Sequence, residues 1–274
     1  MSSENLGNQL NRIARFARVL LFNQGELAQL TYSAFDIAAK TVRDSDQQEI
    51  VVTYPIGWRP DRQAVTGSNT YKKDELLSRY QFLAFHQLAV NGLVQLVTIM
   101  EALFGDVVRA VIAKYPHKLG AKRSMPIQTI LESSSLEEVH LRAADTLLNE
   151  LFYKSPMEFA EALQDLISVN LLECPAFHKY LEIKASRDIF IHNRGIANDI
   201  YVRKAATHQR VKAGMNLPAD IQYFLESYES CLQVTEWLEE KLHDLWHSSE
   251  FEEQKVQQLE IKLKGDSEVS GNAE

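Results

Sequence analysis

The stretch 74-DELLSRYQFLAFHQLAVNGLVQLVTIMEALFGDVVRAVIAKY-115 reads as one long amphipathic helix. Leu76, Tyr80, Leu83, Leu93, Val97, Met100, Phe104, Val107 and Val111 recur three or four residues apart, or at multiples of that spacing, and fall on one stripe. Pro116 stops the pattern because it lacks an amide hydrogen and clashes with the preceding turn. Unbroken, about 40 residues at 1.5 Å each extend about 60 Å, with Gly92 and Gly105 as the places where a kink is expected. A helix of that size is stable only when packed along much of its length, so it is expected to be the spine of an all-α bundle.

Upstream, residues 50–70 break the helical period. Ile50-Val51-Val52-Thr53-Tyr54 predicts a short strand, and Pro55, Gly57, Pro60 and Gly67 punctuate a loop after it. A boundary is expected near Tyr71. Before it, Leu6 to Lys40 reads as two helices separated near Asn23-Gln24-Gly25, with Leu10, Ile13, Ala17, Leu20 and Leu21 at helical spacing. Downstream, Met125-Pro126 opens a short helix, and Ser133-Ser134-Ser135 followed by Glu137 and Glu138 opens another. Ser155-Pro156 repeats that start signal. A helix is expected from about Pro175 to His192, closed by Gly195, and a final one from Pro218 to about Trp246. The organisation expected is an N-terminal helical extension (1–70), a helical domain (71–247) and a polar tail (248–274) whose composition predicts disorder. No internal repeat is evident.

Composition narrows the class. In 274 residues, 45% are hydrophobic, enough for a substantial core, and the formal net charge of -8 argues against a protein coated in nucleic acid without excluding a local basic site. Two cysteines, Cys174 and Cys231, form neither a disulfide framework nor a metal-ligand set, which suits a reducing compartment. The opening residues lack a charged-then-apolar leader pattern, and Leu88 to Met100 is interrupted by Asn91, Gly92 and Gln95. A soluble cytoplasmic protein without membrane contact is expected. There is no GxxxxGK[ST] phosphate loop, no GxGxxG and no GxSxG, so no metal or cofactor is expected.

The chemistry concentrates in 185-ASRDIFIHNRGIANDIY-201. Arg187, Asp188, His192, Asn193 and Arg194 crowd the end of a helix anchored by Ile189, Phe190 and Ile191. Arg187 and His192 are five positions apart, about 140° around the helix. Asp188 and His192 are four apart and share a face, so Asp188 could orient the imidazole. Glu101, on the long apolar helix, could pair with Arg187 across the bundle or be an ordinary surface carboxylate. Positive charge gathers nearby: Lys184 to Lys212 holds seven basic residues and two acids, and Arg109 to Arg123 holds five basic residues and no acid.

Arg187-Asp188-Ile189-Phe190-Ile191-His192, continued by Asn193-Arg194-Gly195-Ile196, resembles the motif of the HEPN superfamily, in its RiboL-PSP-HEPN-like branch. The likeness extends more loosely from about Tyr71 to Trp246. It implies a HEPN-type bundle, a homodimer that pairs its motif helices, and metal-independent cleavage of RNA in a composite site. His192 would then be the general acid or base and Arg187 the stabiliser of phosphate charge; Asp188 would orient and Asn193 would add a hydrogen bond. Lys184, Arg194, Arg203 and Lys204 would contact RNA. The likeness further implies toxin or anti-phage activity restrained by an antitoxin or regulatory protein. Imidazole chemistry suits proton transfer near neutral pH, and the guanidinium fork stays charged and matches phosphate oxygens.

A plainer account stands beside this one. Arg187 could serve only to pair with a carboxylate, and His192 could be a cation favoured by the helix C-terminus. Asn193 and Gly195 are ordinary helix-ending residues. The domain would then be a non-catalytic dimerisation or regulatory binding module.

Overall fold

A computed structural model describes residues 5–120 and 124–270, the side chains of 153, 156 and 247–270 excepted. The described residues are all-α apart from one hairpin. Its elements are α1 (Leu6–Asp44), β1 (Glu49–Trp58), β2 (Ala64–Lys72), α2 (Lys73–Gln81), a π-helical turn (Phe82–Gln87), α3 (Leu88–Lys114), α4 (Ile127–Leu131), α5 (Leu136–Tyr153), α6 (Pro156–Ile167), α7 (Pro175–His192), α8 (Asp199–Ala205) and α9 (Ile221–Ser270).

The spine forms as expected and ends at Pro116. Its irregularity lies at Phe82–Gln87, where the helix widens to a π turn, and not at Gly92 or Gly105. Along α3, Leu96, Met100, Phe104, Val107, Val108 and Val111 are fully buried among α1, α5, α6, α7 and α9. Phe104 sits at the centre, edge-on to Phe159, Phe177 and Tyr180 at centroid distances of 5.8, 6.2 and 5.8 Å. Truncating such a ring to alanine costs about 3–5 kcal/mol in comparable cores.

Two expectations about the first 72 residues are corrected. Leu6–Asp44 is one helix, with no break at Asn23-Gln24-Gly25. Asparagine and glycine each lower helix stability by at most about 1 kcal/mol, and the packing of Leu10, Ala14, Ala17, Leu21 and Ala28 into the main core outweighs that. Gly25 is there for proximity: a Cβ would come within 2.9 Å of the Tyr228 ring on α9. Next, the predicted loop after β1 is a second strand. β1 and β2 pair antiparallel from Glu49↔Lys72 to Trp58↔Ala64, with a bulge between Pro55 and Gly57 that accommodates the proline. The strand expected at Ile50–Tyr54 is formed within β1, and α1 belongs to the same core as α3 and α9.

Serine caps fall where the sequence places them. Ser135 accepts the amide of Glu138, and Ser155 with Glu158 forms a reciprocal capping box. The last helix begins three residues beyond Pro218, because Asp220 Oδ1 accepts the Tyr223 amide at 2.9 Å and caps it. The tail expected to be disordered continues α9 as far as Ser270; residues 271–274 lie outside the described residues.

Candidate functional site

α7 is opened by Pro175 at its first position and closed by a turn in which the amides of Asn193 and Gly195 both reach the Ile189 carbonyl, at 2.9 and 3.1 Å. Arg194 and Gly195 adopt positive φ, 54° and 80°, which reverses the chain. The Asn193 amide side chain donates to the Ile196 carbonyl and fastens that reversal. Ala185 and Ile189 pack with Ala197, Tyr201, Ala205 and Leu217, so α8 is held beside the end of α7. The remaining face of α7 looks into a cleft of about 520 Å³ between α3, α5, α7 and α8.

Within that cleft a ladder of charges runs across three helices. Oε1 of Glu101 on α3 accepts from Lys184 Nζ and from Arg187 Nη2, the latter at 2.6 Å. Arg187 Nη1 lies 3.4 Å from Asp188 Oδ1, and Asp188 Oδ2 lies 3.4 Å from Lys204 Nζ. Three cations therefore face two carboxylates. Arg187 Nε is buried without a hydrogen-bond partner among the described residues. His192 is solvent-exposed at the mouth, and Asn149, Phe152, Asn198 and Ile200 complete the walls. Beneath the ladder, the Tyr180 hydroxyl is pushed well above the usual phenol range, first by burial and then by Glu101.

The sequence-predicted residues divide accordingly. Lys184, Arg187, Asp188, His192, Asn193 and Lys204 line the same cleft, whereas Arg194 and Arg203 are exposed and lie outside its lining. The Asp188 carboxylate pairs with Arg187 and Lys204, and among the described residues no hydrogen bond from it to His192 is formed. Of the two arrangements open for Glu101, the pairing with Arg187 is the one formed. Part of the basic run from Arg109 is already engaged within the fold. Arg109 is engaged by Asp106 and Asp145, Lys118 donates to Ser168, and Lys122 and Arg123 lie outside the described residues.

A second polar cluster is assembled almost wholly by tertiary packing. Glu182, 2% exposed, accepts from Ser186 Oγ (2.5 Å), Tyr223 OH (2.7 Å), Tyr201 OH (3.0 Å) and Arg210 Nε (3.1 Å). Arg210 also donates to the Pro218 carbonyl at 2.6 Å and stacks 3.3 Å from the centroid of Tyr223. Burial, then the adjacent Glu182 charge, raises the Tyr223 hydroxyl well above its ordinary range. This cluster ties α7, α8, the following loop and α9 together behind the cleft. It also removes Arg210 from the cations available to a phosphate. Its only trace in the sequence is the i, i+4 spacing of Glu182 and Ser186; Tyr201, Arg210 and Tyr223 join through tertiary packing.

Among the described residues, no helix is long and apolar enough to cross a membrane. No protein-family model matches the chain, and neither does any curated protein or solved structure.

Proposed function

We propose that this protein is a metal-independent endoribonuclease of HEPN type that works as a homodimer in the cytoplasm. One observation carries the proposal: an exposed imidazole, His192, shares an open cleft with the cations Arg187, Lys184 and Lys204. RNA supplies its own nucleophile. The ribose 2′-oxygen attacks the adjacent phosphorus, its proton passes to a base, the 5′-oxygen leaves with a proton from an acid, and the products are a 2′,3′-cyclic phosphate and a 5′-hydroxyl. His192 is the proton-transfer group. Arg187 and Lys204 face the charge that builds on the non-bridging oxygens. A guanidinium has five donors, so the contacts to Glu101 and Asp188 orient the Arg187 fork and leave a donor on each Nη.

Two copies are invoked because one cleft has a single imidazole, while the chemistry calls for both a base and an acid. Ile191, Ile196 and Ile200 leave apolar surface around the cleft mouth that a second copy would cover. An uncontrolled ribonuclease is harmful, so a restraining antitoxin or regulatory partner, and a setting in toxin or anti-phage defence, belong to the same proposal.

A second account is favoured by one observation: Arg187 is already neutralised by two carboxylates, as in a purely structural ion pair. On that account the domain is a non-catalytic dimerisation or regulatory module. Purified protein incubated with RNA in EDTA separates the two. Cleavage leaving cyclic phosphate ends, lost in His192→Ala, supports the nuclease; intact RNA, or cleavage abolished by EDTA, removes it.

A further inference from the structure

α1 is buried along one side and apolar along the other. Its inward stripe, Leu10, Ala14, Ala17, Leu21 and Ala28, belongs to the main core. On the far side Phe16, Leu20, Asn23, Leu27, Leu30, Ala34 and Ile37 follow one another at alternating steps of four and three residues. At 3.6 residues per turn these positions share a sector about 100° wide, roughly 140° from the inward stripe. Alternating four and three is the spacing of a helix that seats against another helix over several turns. Yet Phe16 is 63% exposed, Leu27 53%, Leu30 63% and Ile37 68%. The elements packed on α1 are α9, α3, α2 and the π turn, and of the stripe only Leu20, at its edge, is partly buried against the core they form.

We propose that this stripe is the seam of a homodimer in which α1 packs antiparallel on α1 of a second copy. A straight apolar seam of this period fits a helix, and several features make that helix its own counterpart. About a dyad between Ala28 and Gln29, Leu27 meets Leu30 of the second copy, Leu20 meets Ile37, and the small polar Asn23 meets Ala34, a self-complementary contact of the isologous kind. The antiparallel sense also keeps Arg12, which falls in the same sector, from facing its own copy; Arg15 and Arg18 turn to Glu239 on α9. Phe16, Leu27, Leu30 and Ile37, with Val19 at the edge of the sector, at roughly 100 Å² of hidden surface each amount to about 1,000 Å² for the pair, the least area a specific interface needs. No α1 residue lines the His192 cleft, so this pairing is separate from the motif-side pairing proposed above and does not depend on it.

The test is sedimentation equilibrium of the full chain from about 1 to 50 µM. Wild type associates, and Leu27→Glu with Leu30→Glu halves the assembled mass while far-UV circular dichroism stays unchanged. Leu27→Ala with Leu30→Ala, which introduces no charge, weakens association at least tenfold and covers the case in which the glutamates disturb folding. Mixed Leu27→Cys and Leu30→Cys proteins cross-link to each other on mild oxidation. A wild type that stays monomeric overturns the proposal, as does a mass indifferent to both double variants or cross-linking confined to Leu27→Cys alone. Association lost in Ile196→Glu but kept in the α1 variants also overturns it, and leaves the motif-side pairing standing.

Discussion

Arg187 on α7 donates to Oε1 of Glu101 on α3 at 2.6 Å, and the same oxygen takes the ammonium of Lys184. One carboxylate thus locks the helix that carries the candidate site to the spine of the bundle and sets the direction of its guanidinium.

Glu101→Ala leaves the partly buried Lys184 without its carboxylate and Arg187 with Asp188 alone. A fully buried pair broken in this way loses about 3–5 kcal/mol; with side chains still 16–24% exposed, about 1–3 kcal/mol is expected. Urea denaturation checks it, and a midpoint equal to wild type would show the ladder to be incidental.

His192→Ala separates chemistry from folding. The side chain is exposed, so stability should stay within about 0.5 kcal/mol of wild type. Cleavage in EDTA should fall by about 10²–10⁴, the usual contribution of a general acid or base. Initial rates on a labelled RNA measure this; an unchanged rate would reassign the proton transfer to another group.

Glu182→Ala leaves Arg210 and the hydroxyls of Tyr201 and Tyr223 without their shared acceptor in a closed environment. A loss of about 3–5 kcal/mol is expected. Glu182→Gln keeps an acceptor and should cost less. Equal losses in the two variants would argue that charge, and not hydrogen bonding, holds the cluster.

Gly92 on α3 lies against Phe224 on α9, where a Cβ would come within 2.4 Å of ring carbon Cε2. Gly92→Ala is expected to destabilise by about 1–3 kcal/mol through overpacking, despite alanine's better helix propensity. Phe224→Leu in the same chain should recover part of that loss. Additive effects in the double-mutant cycle would contradict the contact.

The Glu138 carboxyl at the start of α5 is held at about 2, chiefly by the amide and hydroxyl of Ser134 and then by Arg142. A depressed folded-state value means the contribution to stability is complete above the unfolded value of about 4.3 and fades as pH falls from there towards 2. An NMR titration of the Glu138 side-chain carbon should show the low midpoint, and Ser134→Ala should move it upward. A midpoint above 4 in the folded protein would refute the assignment.

What was legible followed from local rules. Helix starts at Ser135 and Ser155 and the stop at Pro116 depend on residues within one turn, so they could be placed directly. The gap at Asn23-Gln24-Gly25 misled because local propensity is weaker than burial against α9. β2 was hidden because its residues, Thr66 to Thr70, have turn composition until β1 pairs with them. At the site, Arg187, Asp188 and His192 could be named from their spacing, but the partners of Asp188 could not, since Lys204 arrives from another helix.

By itself the sequence determined the helical class, the long apolar spine and the cluster of ionisable groups at the end of α7, because periodicity and capping act over a few residues. Only the tertiary structure decided which charges neutralise which, that Glu182 gathers Tyr201, Arg210 and Tyr223, and that α1 turns a second apolar stripe to solvent. Those outcomes depend on contacts between residues tens of positions apart, whose free energies exist only once the helices are packed.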